Sequence, residues 1–535
     1  MMWKNLYNQT GVLARLIINR DRVRLPVWLL SISLMNVIIA SSYTGLYQTE
    51  QERQAIAETM KNPAMIAMVG PGYGLDNYTS GAMFAHQMLL FTAIVAAIMS
   101  ILLVTRHTRA DEEEGRIELI RSLPVGKLSN ITSSVLVMVG ANILLALITG
   151  LGLYALQIDS MDLQGSLLYG AAIGATGIFF TSVTGLFAQL SENSRGTIGF
   201  SFAVLGGAYL IRAVGDVSNE TLSWFSPLGW VVGTQAYVTN YWWPVILTIG
   251  AAIVLLVITF YLNTIRDLGA GFLQSRPGKK HASRFLQSPF GLAVRLQRTG
   301  IIAWAIGMFI LGASYGSVLG DLEYFFDSNE MMAEFLAPVE GFSLVEQFLP
   351  MLMLVISIIC TVPALLFVLK LKSEEKKNMT EHLLARAVSR TKLMGSYLMV
   401  SIIFGAVVFV LAIAGLWSAA VSVMEEAILF TSIVKAGIVY FPAMFVLIGL
   451  AVFLIGYFPK LTSLTWLYLG YSFFVVYLGG LLQLPTWMEK VSPFAHVPQF
   501  PVEEVTALPI ISLIGIAGVL LFIGFMGYNK RDMEG

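Results

Sequence analysis

Runs of about twenty apolar residues, separated by short polar segments, recur along the whole chain. A bilayer-crossing helix needs about 20 mostly apolar residues. Twelve stretches qualify: 26–47, 83–104, 131–156, 166–189, 197–214, 244–263, 301–322, 348–369, 395–418, 431–457, 464–483 and 506–528. Lipid offers the backbone no hydrogen-bond partners, so runs of this length must satisfy themselves as helices. The pattern predicts an all-α polytopic membrane protein with about twelve transmembrane helices.

Composition agrees. Of the 535 residues, 56% are apolar and 12% charged, against about 25% charged in a soluble domain. Lys+Arg and Asp+Glu number 33 each, and this balance gives no footing for nucleic acid. Cys360 is the single cysteine, which excludes an intrachain disulfide and a Cys-based zinc site. The opening MMWKNLYNQTGVLARL lacks the apolar core and cleavage site of a signal peptide, so the first span is expected to start insertion itself.

Lysine and arginine set the orientation. With residue 1 in the cytoplasm, 28 of the 33 fall in cytoplasmic segments, leaving Arg53, Lys61, Arg212, Lys435 and Lys490. The bias predicts a multi-pass protein of the cell membrane with both termini cytoplasmic.

Twelve spans with both ends on one side divide into two parallel sets of six, and the sequence carries traces of such a duplication. Arg109-x-Asp111-Glu112 followed by Glu118 matches Lys372-x-Glu374-Glu375 followed by Glu381, 263 residues on. Gly199-Phe200-Ser201-Phe202 resembles Gly470-Tyr471-Ser472-Phe473; Ser226-Pro227 recurs as Ser492-Pro493, and Arg266-Asp267 as Arg531-Asp532. The common order argues for two six-span halves, 1–275 and 276–535. Each half opens with a basic amphipathic stretch, Trp3 to Arg24 and Arg284 to Arg298, expected to lie as a helix in the inner interface. Segment 266–284 reads as the linker between halves. Segment 48–82, with its GPGYGLDNYTSG, reads as a solvated outer hairpin rather than a lid.

Catalytic motifs are absent. There is no HExxH and no Gly-x-Ser-x-Gly, and the text nearest a Walker A loop, Leu123 to Leu128, lacks its upstream Gly and following Ser/Thr. No carboxylate sits at the centre of a span, which argues against proton-driven transport. Arg212 and Asp216 lie four apart near the outer end of the fifth span and form a candidate gate pair, with snorkelling to the interface as the alternative.

The segment between the second and third spans, RHTRADEEEGRIELIRSLPVGK, is the most informative. Glu112 and Arg116 are spaced to pair on a helix, and Ile117, Ile120 and Leu123 make an apolar stripe. A short amphipathic helix on the cytoplasmic face suits docking into a partner's groove. SEEKKNMTEHLLARAVSR stands at the same place in the second half. The candidate docking residues are Glu112, Glu113, Arg116, Ile117, Glu118 and Ile120, with Glu374, Glu375 and Glu381.

These segments, together with GPGYGLDNYTSGAM, RDLGAGFLQSRPG and SPFGLAVRLQR followed by Trp304, carry a resemblance. The chain resembles the ABC-2-type ABC transporter permeases, and more narrowly the duplicated twelve-span polyketide-antibiotic (tetronasin-type) exporter permeases. The resemblance implies two facing six-helix bundles, an elbow helix opening each half, and a coupling helix between the second and third spans. It also implies re-entrant helices around Ser226-Pro227 and Ser492-Pro493. ATP and Mg would bind to separate subunits, two ATPase copies per chain, with no cofactor on the chain itself. The second and fifth spans of each half would line the pathway. There Phe84, Met88, Phe200, Phe202, Tyr209, Phe473, Phe474 and Tyr477 offer adaptable apolar surface to a small hydrophobic substrate. The expected function is the permease subunit of an ATP-driven exporter of hydrophobic or amphipathic compounds such as antibiotics; the alternative is a proton-coupled secondary multidrug carrier. One departure is that Gly115-Arg116 has no counterpart in Asn378-Met379.

Overall fold

The computed structural model describes residues 6–273, 280–321, 343–386, 388–424, 429–477 and 485–532. The centre of the expected linker (274–279) and the end of the expected eleventh span (478–483) lie outside the described residues. The chain divides into two compact units, Met1–Pro277 and Gly278–Gly535. Eleven helices among the described residues are long and apolar enough to cross a membrane, and no strand occurs among those residues. The protein is an all-α polytopic membrane protein. The eleventh expected span is described as Leu464–Tyr477, 14 residues.

In the first unit the spans are Arg24–Leu46, Ser80–Thr105, Ser129–Tyr154, Leu163–Leu190, Ser194–Ser218 and Trp243–Ile265. The fourth is the hub, packed on the second, third and sixth. Small residues allow this. Gly170 faces the Ala146 carbonyl so closely that a Cβ would overlap it, the close backbone approach that membrane helices use in place of a hydrophobic drive. A polar knot adds specificity: Thr92 and Tyr169 donate to Asn36 Oδ1 at 3.0 and 2.6 Å.

In the second unit the spans are Pro289–Val318, Leu344–Glu375, Arg390–Val423, Phe430–Tyr457, Leu464–Tyr477 and Ala507–Lys530. Here too the second and fourth of the set are the most enclosed. Gly312 lies against the Ala412 carbonyl, seating the first span of this unit on its third. Pro350 and Pro363 sit inside one helix; the Tyr440 hydroxyl donates to the Pro350 carbonyl at 3.1 Å.

Two expectations are corrected. The opening stretch of the first half forms its own helix, Thr10–Arg20, broken from the first span at the buried Asp21. In the second half, Pro289–Val318 runs unbroken for 30 residues, so no separate elbow helix precedes that span. The difference is electrostatic. Asp21 is drawn out of the helix to His107, 2.5 Å away, whereas residues 289–298 contain no acidic anchor. Segment 48–82 is not a hairpin either. It folds into Glu50–Thr59, started by a Thr49/Glu52 capping box, then Pro63–Val69 and a turn at Leu75–Asn77.

Candidate functional site

The second span ends in a π-helical turn, Arg106–Ala110, a feature common at functional sites. Beyond it four consecutive acidic residues are all held by partners, Arg116 serving two of them. Asp111 accepts from Arg20 and Arg116, both at 2.6 Å. Glu112 lies between Arg109 and Arg266, 2.8 Å from each, and accepts from the Gly269 amide at 2.6 Å. Glu113 accepts from the Ser194 amide and hydroxyl at 2.8 and 2.6 Å, capping the fifth span. Glu114 pairs with Arg116. Arg109 also donates to the Ser191 and Ala270 carbonyls. The segment is thereby tied to the Thr10–Arg20 helix, the end of the fourth span, the start of the fifth and the end of the sixth. Buried charges persist only when paired and hydrogen-bonded, and Arg109 and Glu112 meet that condition. Hydrogen bonding to Asp111 raises the pKa of Arg20 above its ordinary value.

The expected Glu112–Arg116 pair does not form. Gly115 takes the left-handed conformation, φ 72, which ends one helix and starts another, Arg116–Arg121. The i,i+4 geometry is lost, and Arg116 folds back to Asp111. The apolar stripe is also re-aimed. Ile117 is buried within the chain and Ile120 half-buried, while Leu119 and Leu123 are 73% and 61% exposed. The exposed residues here are Glu118, Leu119 and Leu123, while the Ile117 face and Glu112 are turned inward.

The second unit repeats this plan with other residues. Asn378, φ 58, starts the helix Met379–Leu384. Glu375 pairs with Arg531 at 2.6 Å and Glu374 with Lys370 at 2.8 Å. Thr380 is buried where Ile117 is buried, and Glu381 is exposed like Glu118. Lys372 donates to Thr462 at 2.6 Å, reaching the turn before the eleventh span.

At the opposite end of the first unit, the fully buried Arg212 lies 2.8 Å from Asp216. Its guanidinium also donates to the Ala67 carbonyl at 2.6 Å, with Ile66 and Met68 carbonyls at 3.4 Å, and stacks over the Tyr209 ring at 4.8 Å. These carbonyls end the Pro63–Val69 helix, where a cation complements the helix dipole. Arg212 is therefore a clamp on segment 48–82, not a snorkelling side chain. His86 adds a second tie, at 3.0 Å from the Gly70 carbonyl and 2.7 Å from the Tyr78 hydroxyl.

The expected pathway residues do not share one environment. Phe84 is fully buried in the core of its unit, against Tyr169 and Tyr43, so it packs rather than lines a route. Met88, Phe202, Tyr209 and Tyr477 are half-buried. Phe200, Phe473 and Phe474 are exposed, with Phe200 stacked on Phe187 and Phe473 on Tyr477. Asp21 and His107 leave no local signal in the sequence, because their pairing is remote along the chain. Arg266 and Arg531 do leave one: they recur at matching places in the two halves, beside Glu112 and Glu375.

Comparison with known proteins gives this architecture a family. The family model described as "Multidrug efflux system permease Rv1217c, C-terminal domain" matches residues 13–262 and 286–529. The multidrug efflux system permease protein Rv1217c of Mycobacterium tuberculosis (strain ATCC 25618 / H37Rv) is 36% identical over 531 residues, 98% of this chain and 96% of that protein. The chain belongs to the Rv1217c multidrug efflux permease family. In this permease the matched segments take in both loop helices, Glu112, Glu375 and the Arg212 clamp, while Arg266 and Arg531 lie just beyond their ends.

Proposed function

We propose that the permease is the membrane subunit of an ATP-driven exporter of hydrophobic or amphipathic compounds such as antibiotics. Two copies of a separate ATPase subunit bind at its two loop helices and hydrolyse ATP with Mg. Both termini and both loop helices lie in the cytoplasm, in keeping with the strong Lys/Arg bias. The observation that carries this reading is the paired loop helices, Arg116–Arg121 and Met379–Leu384. Each follows a left-handed turn, and beside each a buried Glu–Arg pair joins the end of one span to the end of another. Such a helix acts as a short lever: a push on its exposed face reaches several spans through ion pairs and caps. The multidrug efflux role in the relative's description supports the substrate class. The pathway is proposed along the exposed faces of the fifth and eleventh spans, at Phe200, Phe473 and Phe474, with Met88, Phe202, Tyr209 and Tyr477 beside them.

The test is to purify the permease from its native membrane and identify co-eluting subunits, then measure ATP hydrolysis with and without drug. A co-purifying ATPase stimulated by drug is expected. Drug transport that is abolished by a protonophore and persists without any ATPase subunit would overturn the reading.

A further inference from the structure

In the second unit, Phe430–Tyr457 and Ala507–Lys530 run side by side. At one end they close up: a Cβ on Gly456 would overlap the Gly524 carbonyl. Toward the other end bulky side chains replace the glycines. There an open groove of about 450 Å³ lies between the two helices and the chain that leads into the second, a volume in the range of ligand sites. Ile438, Phe441, Phe445, Phe500, Ile510 and Ile514 make its wall almost wholly apolar. The wall is accessible, since Ile438 and Ile514 are 53% and 50% exposed. Tyr440 turns inward to the Pro350 carbonyl and leaves the groove open. Among the described residues Lys435 is the one charged group that lines it. Lys435 is exposed and has no carboxylate within ion-pair distance among those residues. Glu503 of the adjoining loop accepts from the Gln499 amide at 3.0 Å instead. An exposed ammonium demands no partner; it sets a charge at the rim of an apolar slot.

The first unit closes the same place. Leu163–Leu190 and Phe430–Tyr457 are 28 residues each, and matching their ends sets Leu168 where Lys435 stands. Leu168 is fully buried. Tyr237, in the chain leading into the sixth span, donates to the Ser166 hydroxyl at 3.0 Å and covers that end. The groove and its cation are therefore not requirements of the shared plan. Its length is also informative. Lys435 and Phe445 stand ten positions apart, a rise of about 15 Å along a helix. That is half of the roughly 30 Å hydrocarbon core, the depth of one leaflet.

We propose that the groove holds one acyl chain of an anionic phospholipid from the outer leaflet, with the lipid phosphate at the Lys435 ammonium. A lysine lays its stem along apolar surface and keeps its ammonium at headgroup level, so the slot takes the chain and the cation selects the head. A slot one leaflet deep with its charge at the rim matches a lipid end to end. The leaflet rests on the orientation proposed above, which sets Lys435 outermost; the binding chemistry does not.

The experiment is native mass spectrometry of the purified, delipidated permease titrated with phosphatidylglycerol or phosphatidylcholine of the same acyl chains. Four proteins are compared: the parent, Lys435→Gln, Ile514→Trp and the exposed control Lys490→Gln. The parent and Lys490→Gln are expected to bind phosphatidylglycerol more tightly than phosphatidylcholine. Lys435→Gln should lose roughly fivefold in phosphatidylglycerol affinity, as removal of one lipid-facing cation predicts, and keep its phosphatidylcholine affinity. Ile514→Trp fills the slot from an exposed position and should weaken both lipids. Dihexanoyl phosphatidylglycerol has the same head and no chain to fill the groove, so at equal concentration it should not displace the long-chain lipid from the parent; this reading needs no variant. An unchanged preference in Lys435→Gln, an equal loss in Lys490→Gln, or displacement by the short-chain lipid overturns the site. A parent that flies as a dimer and is split by Ile514→Trp assigns the groove to a second copy and overturns the lipid. The readout is binding, so it stands or falls apart from any ATPase partner and from the orientation of the chain.

Discussion

Asn378 holds the left-handed turn, φ 58 and ψ 14, that Gly115 holds at φ 72 and ψ 3, 263 positions earlier. Asparagine is among the few residues other than glycine that visit this conformation routinely. What reads in the sequence as a departure between the halves is a conserved backbone geometry. Asn378→Gly should change stability by no more than a few tenths of a kcal/mol, whereas Asn378→Val should cost about 1–2 kcal/mol. Thermal unfolding of the detergent-purified permease measures both, and equal melting of the two variants would remove the turn from the argument.

Glu112 is a buried partner to two arginines, while Glu118 is exposed. Glu112→Gln should destabilise by about 3–5 kcal/mol, since it strands buried charge. Glu118→Gln should stay within about 0.5 kcal/mol. A fluorescence-detected size-exclusion melt separates them, and a Glu112→Gln melt matching the parent would show the pair to be dispensable.

Leu119 and Ile117 are near neighbours with opposite fates. Ile117→Asp should reduce the yield of folded protein, because it buries a charge inside the permease. Leu119→Asp should leave yield and melting intact and weaken recovery of the proposed ATPase subunit. If Leu119→Asp retains that subunit fully at matched expression, the exposed face of this helix is not the docking surface.

Arg212 makes more bonds than Asp216 does, so their substitutions should not be equivalent. Arg212→Gln should expose segment 48–69 to added protease, and Asp216→Asn should do so less, because the bonds to carbonyls 66–68 survive it. Combining them should add little to Arg212→Gln alone, the signature of coupled groups. Strictly additive cleavage rates would dissolve the clamp into two independent residues.

The buried Cys360 gives a quiet background for thiol labelling. Phe200→Cys and Phe474→Cys should react with a water-soluble maleimide and be protected by a transported drug; Phe84→Cys should not react. Labelling of the first two that ignores drug would place the pathway elsewhere.

The spans were legible because hydropathy is a local property summed over twenty residues; helix bounds such as Trp243–Ile265 follow the apolar run 244–263 within two residues. The Arg212–Asp216 pair was legible because both lie on one continuous helix. Glu112–Arg116 misled for the complementary reason: Gly115 breaks the helix that the spacing assumed. Glu112–Arg266 spans 154 residues, and no local pattern encodes a contact between two helix ends. The carbonyls held by Arg212 were equally hidden, since backbone acceptors leave no residue type to read. The Ile117 face was misjudged because periodicity reports that a stripe is apolar, not which of two surfaces will cover it.

The two links from the cytoplasmic end of a second-type span to the start of a fifth-type span are chemically opposite. In the first half a carboxylate, Glu113, grips Ser194; in the second an ammonium, Lys372, grips Thr462. A carboxylate at a helix start gains from the dipole, and an ammonium there is opposed by it. In a protein assembled from two identical chains, any substitution alters both links together. Here each is written by its own codon, so inheritance can loosen one side of the transporter while leaving the other taut.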